Sequence, residues 1–351
     1  FFGLGKETNV DKVEVIWPNG TSNVFEDVMA NTTILAKYSD AKPYEKESKT
    51  LASNFKSKNP KELGIDYSHQ ESNFDEFIDE VLLPHNVSQN GPFSVVGDVN
   101  GDGFDDIFIG GAAGQSGMLY VQSQDGKFLK HSSQPWSQDK AAEDLGSVLV
   151  DVDNDNDLDL YVASGGSEFQ LGSTLLQDRL YINNGNGNFS KESSALPRIY
   201  ESSQCVKASD IDGDGDMDLF VGTRLIPGAY ASPASSYLLI NEKGKFRKAG
   251  KEIAPILENM GMVTDAVFTD IDNDNDEDLI IVGEWMEIKV LINSNGSFED
   301  NSEVFGLKDT RGIWWSITAS DLDNDGDEDY IIGNLGKNNK FKASEEHPFK
   351  V

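Results

Sequence analysis

The chain has 351 residues, with 29 Lys plus Arg against 61 Asp plus Glu, a formal charge of −32. That balance argues against a nucleic-acid binder, which needs a basic patch to neutralise phosphates, and disfavours adsorption to an anionic membrane. With 38% hydrophobic residues, 33 glycines and 11 prolines, the chain is expected to bury a core and to turn often, as all-β domains do.

Residues 1–39 read as a small β unit. Val13, Val15 and Trp17 alternate along one strand, Pro18-Asn19-Gly20 makes the turn, and Val24-Phe25 lie on the return. Residues 40–62 are Lys-rich, polar and without period, and are expected to form a linker or an extended wrap. In residues 63–90, Phe74, Phe77, Ile78, Val81 and Leu82 fall at helical spacing, so a short helix is expected there, with 64–69 as an alternative strand lent to a neighbouring sheet.

Residues 91–351 repeat. Five nine-residue windows hold 26 of the 61 acidic residues: DVNGDGFDD, DVDNDNDLD, DIDGDGDMD, DIDNDNDED and DLDNDGDED. They start at Asp98, Asp151, Asp210, Asp270 and Asp321, with spacings of 53, 59, 60 and 51 residues. A period of that size signals a solenoid, an array or a propeller. A short run precedes each window and an apolar run follows it. A third run comes next (MLYVQS, RLYINN, YLLINE, IKVLIN), then a glycine turn and a fourth (GKFLK, GNFSK, GKFRK, GSFED). Phe128, Phe189, Phe246 and Phe298 hold the same place in that turn. Four short strands per unit are the pattern of a propeller blade, and the apolar second strand is that of a sheet covered on both faces. The fifth unit is expected to stop inside or just after its third strand.

Up to six acidic side chains within nine residues repel one another unless a cation sits among them. Oxygen donors at this density select a hard ion with six to eight ligands, Ca2+ over Zn2+ or Mg2+. The expected ligands are Asp98, Asn100, Asp102, Phe104 and Asp106 in the first loop and Asp151, Asp153, Asp155, Asp157 and Asp159 in the second. They are Asp210, Asp212, Asp214, Asp216 and Asp218 in the third and Asp270, Asp272, Asp274, Asp276 and Asp278 in the fourth. The fifth has Asp321, Asp323, Asp325, Asp327 and Asp329. Phe104 offers only its backbone carbonyl, so position 7 is expected to bind through the main chain throughout. About five ions are expected. The EF-hand shares this opening but needs a Glu at position 12, where this chain has Ile109, Val162, Val221, Ile281 and Ile332.

The windows and their flanks resemble FG-GAP or VCBS repeats, the calcium-loop propeller units also found in integrin α-subunit heads. GPFSVVGDVNGDGFDDIFIGGAAGQ, DLDLYVASGGSEF, DGDMDLFVGTRLIPGAY, LIIVGEWM, GIWWSI and GNLGKNNKFKAS are similar to the CRTAC-like proteins that carry an ASPIC/UnbV domain, with a closer fit to bacterial surface versions than to animal ones. FFGLGKETNVDKVEVIWPNG resembles the ASPIC/UnbV segment itself. The resemblance implies an all-β, calcium-loop β-propeller of seven blades. Five are counted here, so the rest of the ring is expected from sequence outside this piece or from another chain. The chain opens on Phe-Phe-Gly-Leu-Gly and shows no signal peptide, and it is read as a fragment of a longer protein.

No catalytic constellation is evident. His69, His85, His131 and His347 have no partner at metal-ligand spacing, and no nucleophile elbow occurs. Cys205 cannot form an intrachain disulfide and is expected to be buried and inert. In an up-and-down sheet the connections alternate between two ends. The varied loops therefore share the end opposite the acidic windows, and Arg224, Tyr230, Trp285, Arg311, Trp314 and Trp315 are the candidates for contacting a glycan or a surface protein there. The function expected is a secreted or cell-surface, non-enzymatic binding or adhesion module. The rivals are a polysaccharide-degrading enzyme, which a cleft with paired, pKa-shifted carboxylates would favour, and a structural subunit of a surface assembly. No membrane insertion is expected, since no apolar run approaches ~18 residues.

Overall fold

The structure, a computed structural model, describes residues 5–44 and 56–336 and divides into two compact units, Phe1–Ser57 and Lys58–Val351. The third-strand and fourth-strand regions of the fifth repeat, including FKASEEHPF, lie outside the described residues.

In the first unit β1 (Asn9–Ile16) pairs antiparallel with β2 (Thr21–Met29), and β3 (Lys42–Pro43) adds to β2. The sheet thus continues past residue 39. Trp17 packs edge-on against Tyr38 at 5.5 Å and donates its indole N–H to Asn23 at 2.7 Å, which fixes the turn.

The second unit is built of antiparallel four-stranded meanders. The first holds β4 (Ser94–Gly97), β5 (Asp106–Ile109), β6 (Met118–Gln122) and β7 (Phe128–His131). The second holds β8 (Glu143–Val150), β9 (Asp159–Gly165), β10 (Arg179–Ile182) and β11 (Ser190–Lys191). The third holds β12 (Ser202–Ser209), β13 (Asp218–Leu225), β14 (Tyr237–Asn241) and β15 (Phe246–Lys248). The fourth holds β16 (Met262–Thr269), β17 (Asp278–Met286), β18 (Lys289–Ser294) and β19 (Ser297–Asp300), and β17 also pairs with β20 (Gly312–Ser320), which carries β21 (Asp329–Asn334).

The apolar run in the second strand of the inner blades lies between two layers of core. Along β9, Leu160 and Val162 enter the core layer shared with the first blade, while Tyr161 and Ala163 enter the layer shared with the third. In β17, Leu279 and Ile281 face the third blade, and Ile280 and Val282 face β20 and β21. Period-2 alternation with a partner on each side makes the middle of the strand apolar on both faces, and the polar residues fall toward its ends, as Asp218 and Arg224 do in β13. The glycine-turn phenylalanines Phe189, Phe246 and Phe298 each pack into the layer toward the preceding blade. Phe128, with no blade before it among the described residues, is only half-buried.

Beside the first blade runs the chain at 64–70. Tyr67 donates to the Gly110 carbonyl at 2.8 Å and Tyr120 to Asp66 at 2.7 Å, so this stretch lies along the first blade without forming a strand. The helix expected across Phe74, Phe77, Ile78, Val81 and Leu82 is a single 3-10 turn, Glu76–Ile78. Its buried residue is Glu76, whose carboxylate accepts the Val87 and Ser88 amides at 2.5 and 3.2 Å and the Ser88 hydroxyl at 2.7 Å. Ile78, Val81 and Leu82 point outward, and Leu83 and Val87 fill the core instead. A buried carboxylate that satisfies local amides has overridden the apolar spacing.

Candidate functional site

Each acidic window closes the turn between the first and second strand of its blade. Positions 4 and 6 are always Gly or Asn: Gly101 and Gly103, Asn154 and Asn156, Gly213 and Gly215, Asn273 and Asn275, Asn324 and Gly326. All ten have positive φ, between 61° and 98°, which only those residue types adopt readily. The two left-handed steps wrap the backbone around the position-1 carboxylate. Asp98, Asp151, Asp210, Asp270 and Asp321 each accept the position-5 amide at 3.0–3.3 Å and the position-6 amide at 2.7–3.2 Å.

At position 9, Asp106, Asp159, Asp218 and Asp278 are fully buried. One oxygen accepts the position-2 amide at 2.9–3.1 Å. The other accepts an amide of the third strand, from Gln122, Asn183, Asn241 or Asn293, at 2.7–2.8 Å. Burial, opposed by these amides, still pushes Asp159 and Asp218 up to about 7. Asp329 is exposed.

The loop carboxylates converge. Asp151, Asp153 and Asp159 each offer an oxygen within 4.8 Å of the others, as do Asp210, Asp212 and Asp218, and Asp270, Asp272 and Asp278. The fifth loop gathers Asp321, Asp323 and Asp325. In the second to fourth loops the position-5 groups Asp155, Asp214 and Asp274 stand outside these clusters, each with one oxygen on the position-7 amide at 2.9–3.1 Å. At position 7 the side chains serve other turns: Asp216 accepts from Lys243 N at 2.9 Å and Asn154 Nδ2 at 2.6 Å, and Asp276 from Asn295 N at 3.1 Å. In the first loop Asp98 and Asp106 are arranged as elsewhere, Asn100 turns its carbonyl to the Asp102 amide at 3.0 Å, and Phe104 offers no side-chain donor. The donors are oxygen only, three to a cluster, with more carboxylates and carbonyls in the same turn; this set fits a hard cation.

Sequence reasoning missed the residues that brace these loops. The side chains of Asn183, Asn241 and Asn293 reach the preceding blade and donate to the position-2 carbonyls of Val99, Val152 and Ile211 at 2.7, 2.8 and 3.0 Å. The turn glycines Gly244 and Gly296 sit where a Cβ would come within 3.2 Å of Asp153 and 3.1 Å of Asp212. The recurrence of Asn at one place in three third strands was the available signal.

At the opposite end of the blades the expected ligand face needs correction. Arg224 is not a loop residue. It lies in β13, 1% exposed, with its guanidinium ion-paired to the buried Glu284, bonded to Gln204 at 3.3 Å and His85 at 2.8 Å, and stacked over Trp315 at 4.6 Å. A charge inside the β12–β17 region needs such partners, which leaves it unavailable to a ligand. Burial, then Arg224, holds His85 below the usual histidine range. Trp285 donates to Tyr230 Oη at 2.9 Å, and Tyr230 donates to Glu284 at 2.9 Å, so both are half-buried parts of the same cluster. Trp314 and Trp315 lie within β20; Trp314 packs into the layer between β17 and β20, and Trp315 lies against His85 at 5.0 Å. Only Arg311 is strongly exposed, beside Glu287 at 3.3 Å.

No helix among the described residues is long and apolar enough to cross a membrane. Comparison with known proteins adds three findings. Residues 98–162, 151–221 and 270–332 match the FG-GAP-like repeat, and residues 1–43 match the model described as ASPIC and UnbV. No curated protein matches the chain. Among solved structures, a lectin of Agrocybe aegerita, described for recognition of non-reducing terminal N-acetylglucosamine, is 16% identical over 70% of this chain and 60% of that one, with a TM-score of 0.43. The V. cholerae biofilm matrix protein Bap1 is 15% identical over 69% of this chain and 34% of that one, with a TM-score of 0.33. The chain thus spans under two thirds of either relative. With the repeat model matching more than half of its length, the chain belongs to the FG-GAP-like repeat family and carries an ASPIC and UnbV segment at its N-terminal side.

Proposed function

We propose that this chain is a calcium-stabilised, extracellular, non-enzymatic binding module, contacting a glycan or a surface protein at the blade ends opposite the acidic loops. The observation that carries the calcium half is the fivefold loop geometry: an Asp at position 1 wrapped by backbone amides, with oxygens of Asp at position 3 and a buried Asp at position 9 within 4.8 Å in three copies. Asp210, Asp212 and Asp218 would hold the ion in the third loop, with Asp214 rotating in and Asp216 binding through its carbonyl. The bound ion supplies the positive charge that lets these carboxylates pack together. Extracellular sites of this kind bind with Kd of roughly 10⁻⁴ to 10⁻³ M, so the module would work where calcium is abundant.

The test is a melt with and without EGTA at pH 7. Tenfold excess over Kd adds about 1.4 kcal/mol per site, hence about 7 kcal/mol for five independent sites. An unchanged Tm refutes both the calcium and the extracellular claims. For binding, a glycan array and a pull-down compare Arg311→Ala with Trp285→Ala against Lys127→Ala with Lys245→Ala in the glycine turns. Loss only in the second pair, with both folded, reverses the choice of face.

The end blades support a larger assembly. Val96 and Leu129 on the first and Leu322 and Ile331 on the fifth are more than half exposed, whereas no large apolar residue within the strands of the inner blades is. Further blades, from outside this sequence or from another chain, would cover them and complete the ring. The enzyme reading has one feature in its favour, the juxtaposed Glu143 and Glu168. Glu143 is 1% exposed, however, so the pair lacks the open cleft that a substrate would need.

A further inference from the structure

The stretch that precedes the first blade crosses to the later ones. At residue 70 it still lies along the first blade, where the Gln70 amide donates to the Gln115 side chain at 2.8 Å. Glu80 then accepts the Tyr230 amide at 2.7 Å, in the loop that follows β13. His85 reaches Arg224 of β13 at 2.8 Å, and its ring stands 5.0 Å from Trp315 of β20. Leu83 and Val87 share a buried cluster with Leu225 of β13 and Met262 of β16. Residues 76–88 are thus a strap over the third, fourth and fifth blades, at the end away from the acidic loops.

The bond between His85 and Arg224 holds in one protonation state only. A guanidinium has donors and no acceptor, and it keeps its charge at every working pH. Arg224 Nη2 therefore donates, His85 Nε2 accepts, and the imidazole is neutral with its proton on Nδ1. A proton on Nε2 would remove the accepting lone pair and set two cations at hydrogen-bond distance. The surroundings offer little relief. Glu284, from β17, takes Arg224 on Oε1 and the Tyr230 hydroxyl on Oε2 at 2.9 Å. Glu76, from the strap itself, holds the Val87 and Ser88 amides and the Ser88 hydroxyl. Gln204 of β12 and Trp315 of β20 complete the contacts around Arg224 without charge. Burial first and Arg224 second keep the ring below the usual histidine range, against the pull of Glu284 and Glu76.

We propose that His85 is a pH-operated latch: neutral, it accepts from Arg224 and holds residues 76–88 across the blade ends; protonated, it lets them lift. An unlatched histidine takes up its proton near the ordinary value of about 6.5, and the latched one does so lower. Between those two values the open form binds more protons, so opening grows as the pH falls through the ordinary value and levels off below the latched one. Its total gain is about tenfold for each pH unit that separates the two. Lifting the strap uncovers Leu83, Val87, Leu225 and Met262, with the half-buried Tyr230 and Trp285 beside them. The device needs neither a filled acidic loop nor a ligand at the blade ends.

The test uses the 351-residue chain and two readouts. The ring signals of its four histidines are followed by NMR against pH and assigned by replacing each with Gln in turn. His85 is expected to titrate below about 6.5. Amide hydrogen exchange of residues 80–88 is then compared between the parent and His85→Gln, which keeps an acceptor for Arg224 and cannot take a charge. Both are expected to be equally protected at pH 7, with the parent alone losing protection as the pH falls to 5. Asp159 and Asp218 titrate at about 7, so excess Ca2+ is present throughout and each comparison is made at matched pH. Parallel exchange in parent and variant overturns the latch. So does a His85 that titrates at or above the ordinary value, and the other three replacements assign its signal by elimination even if His85→Gln does not fold.

Discussion

The two ends of the blades obey different rules. At the loop end every blade sets its position-1 Asp on the same amides, and Asp106, Asp159, Asp218 and Asp278 are interchangeable in position and burial. At the opposite end one position, six residues beyond that Asp, holds Ala112, Gly165, Arg224 and Glu284 in successive blades. Arg224 and Glu284 answer each other across neighbouring blades, while Glu143 near Gly165 has no base. The repeat fixes one end because the same task is done five times. The other end is free to differ, and its charges must be balanced blade by blade.

The hardest test of that contrast is Arg224→Ala. It leaves Glu284 buried without a counter-charge, and a loss of about 3–5 kcal/mol is expected in urea unfolding. Arg224→Met with Glu284→Leu removes both charges and is expected to recover most of it. A small effect of Arg224→Ala alone would mean that the opposite end is wetter than its burial suggests. At the loop end, Asn241→Ala strips donors from the buried Val152 and Met217 carbonyls, and about 1–3 kcal/mol is expected. Asn186→Ala, in an exposed turn, is the control and is expected to stay within about 0.5 kcal/mol. Equal effects would make Asn241 an ordinary turn residue rather than a brace. The smallest effect concerns Cys205, where burial pushes the thiol up to about 12. Its folded thiol is expected to resist a disulfide reagent at pH 8 and to react on unfolding; fast reaction in the folded chain would place β12 at the surface.

The blades were legible because each strand's apolar run and each acidic window is a local signal repeated in register. Spacing suggested that Asp210, Asp212, Asp214 and Asp218 gather; Asp210, Asp212 and Asp218 do, while Asp214 turns to the Asp216 amide. The opposite end was not legible, because its logic is contact between segments far apart in sequence. Arg224 and Glu284 are separated by 60 residues, and His85 reaches Arg224 from 139 residues away. A charge beside Trp and Tyr reads as surface until its partner is seen. Glu143 and Glu168 were invisible among 61 acidic residues, since nothing in the sequence says which carboxylates are buried. The turn at 76–78 misled for the same reason: Glu76, not Phe77 or Ile78, holds the local hub.

Each third-strand Asn braces the loop of the blade before it, never the one after. The blades are therefore linked in one direction, like tiles each held down by the next. In such a row stability passes from neighbour to neighbour, and the tile with nothing laid over it lifts first. Among the described residues the loop at 321–329 is the one whose carboxylates are all exposed. On warming, that exposed loop should lose order before the braced loops at 98–106, 151–159 and 210–218, so the blades should melt in steps rather than at once.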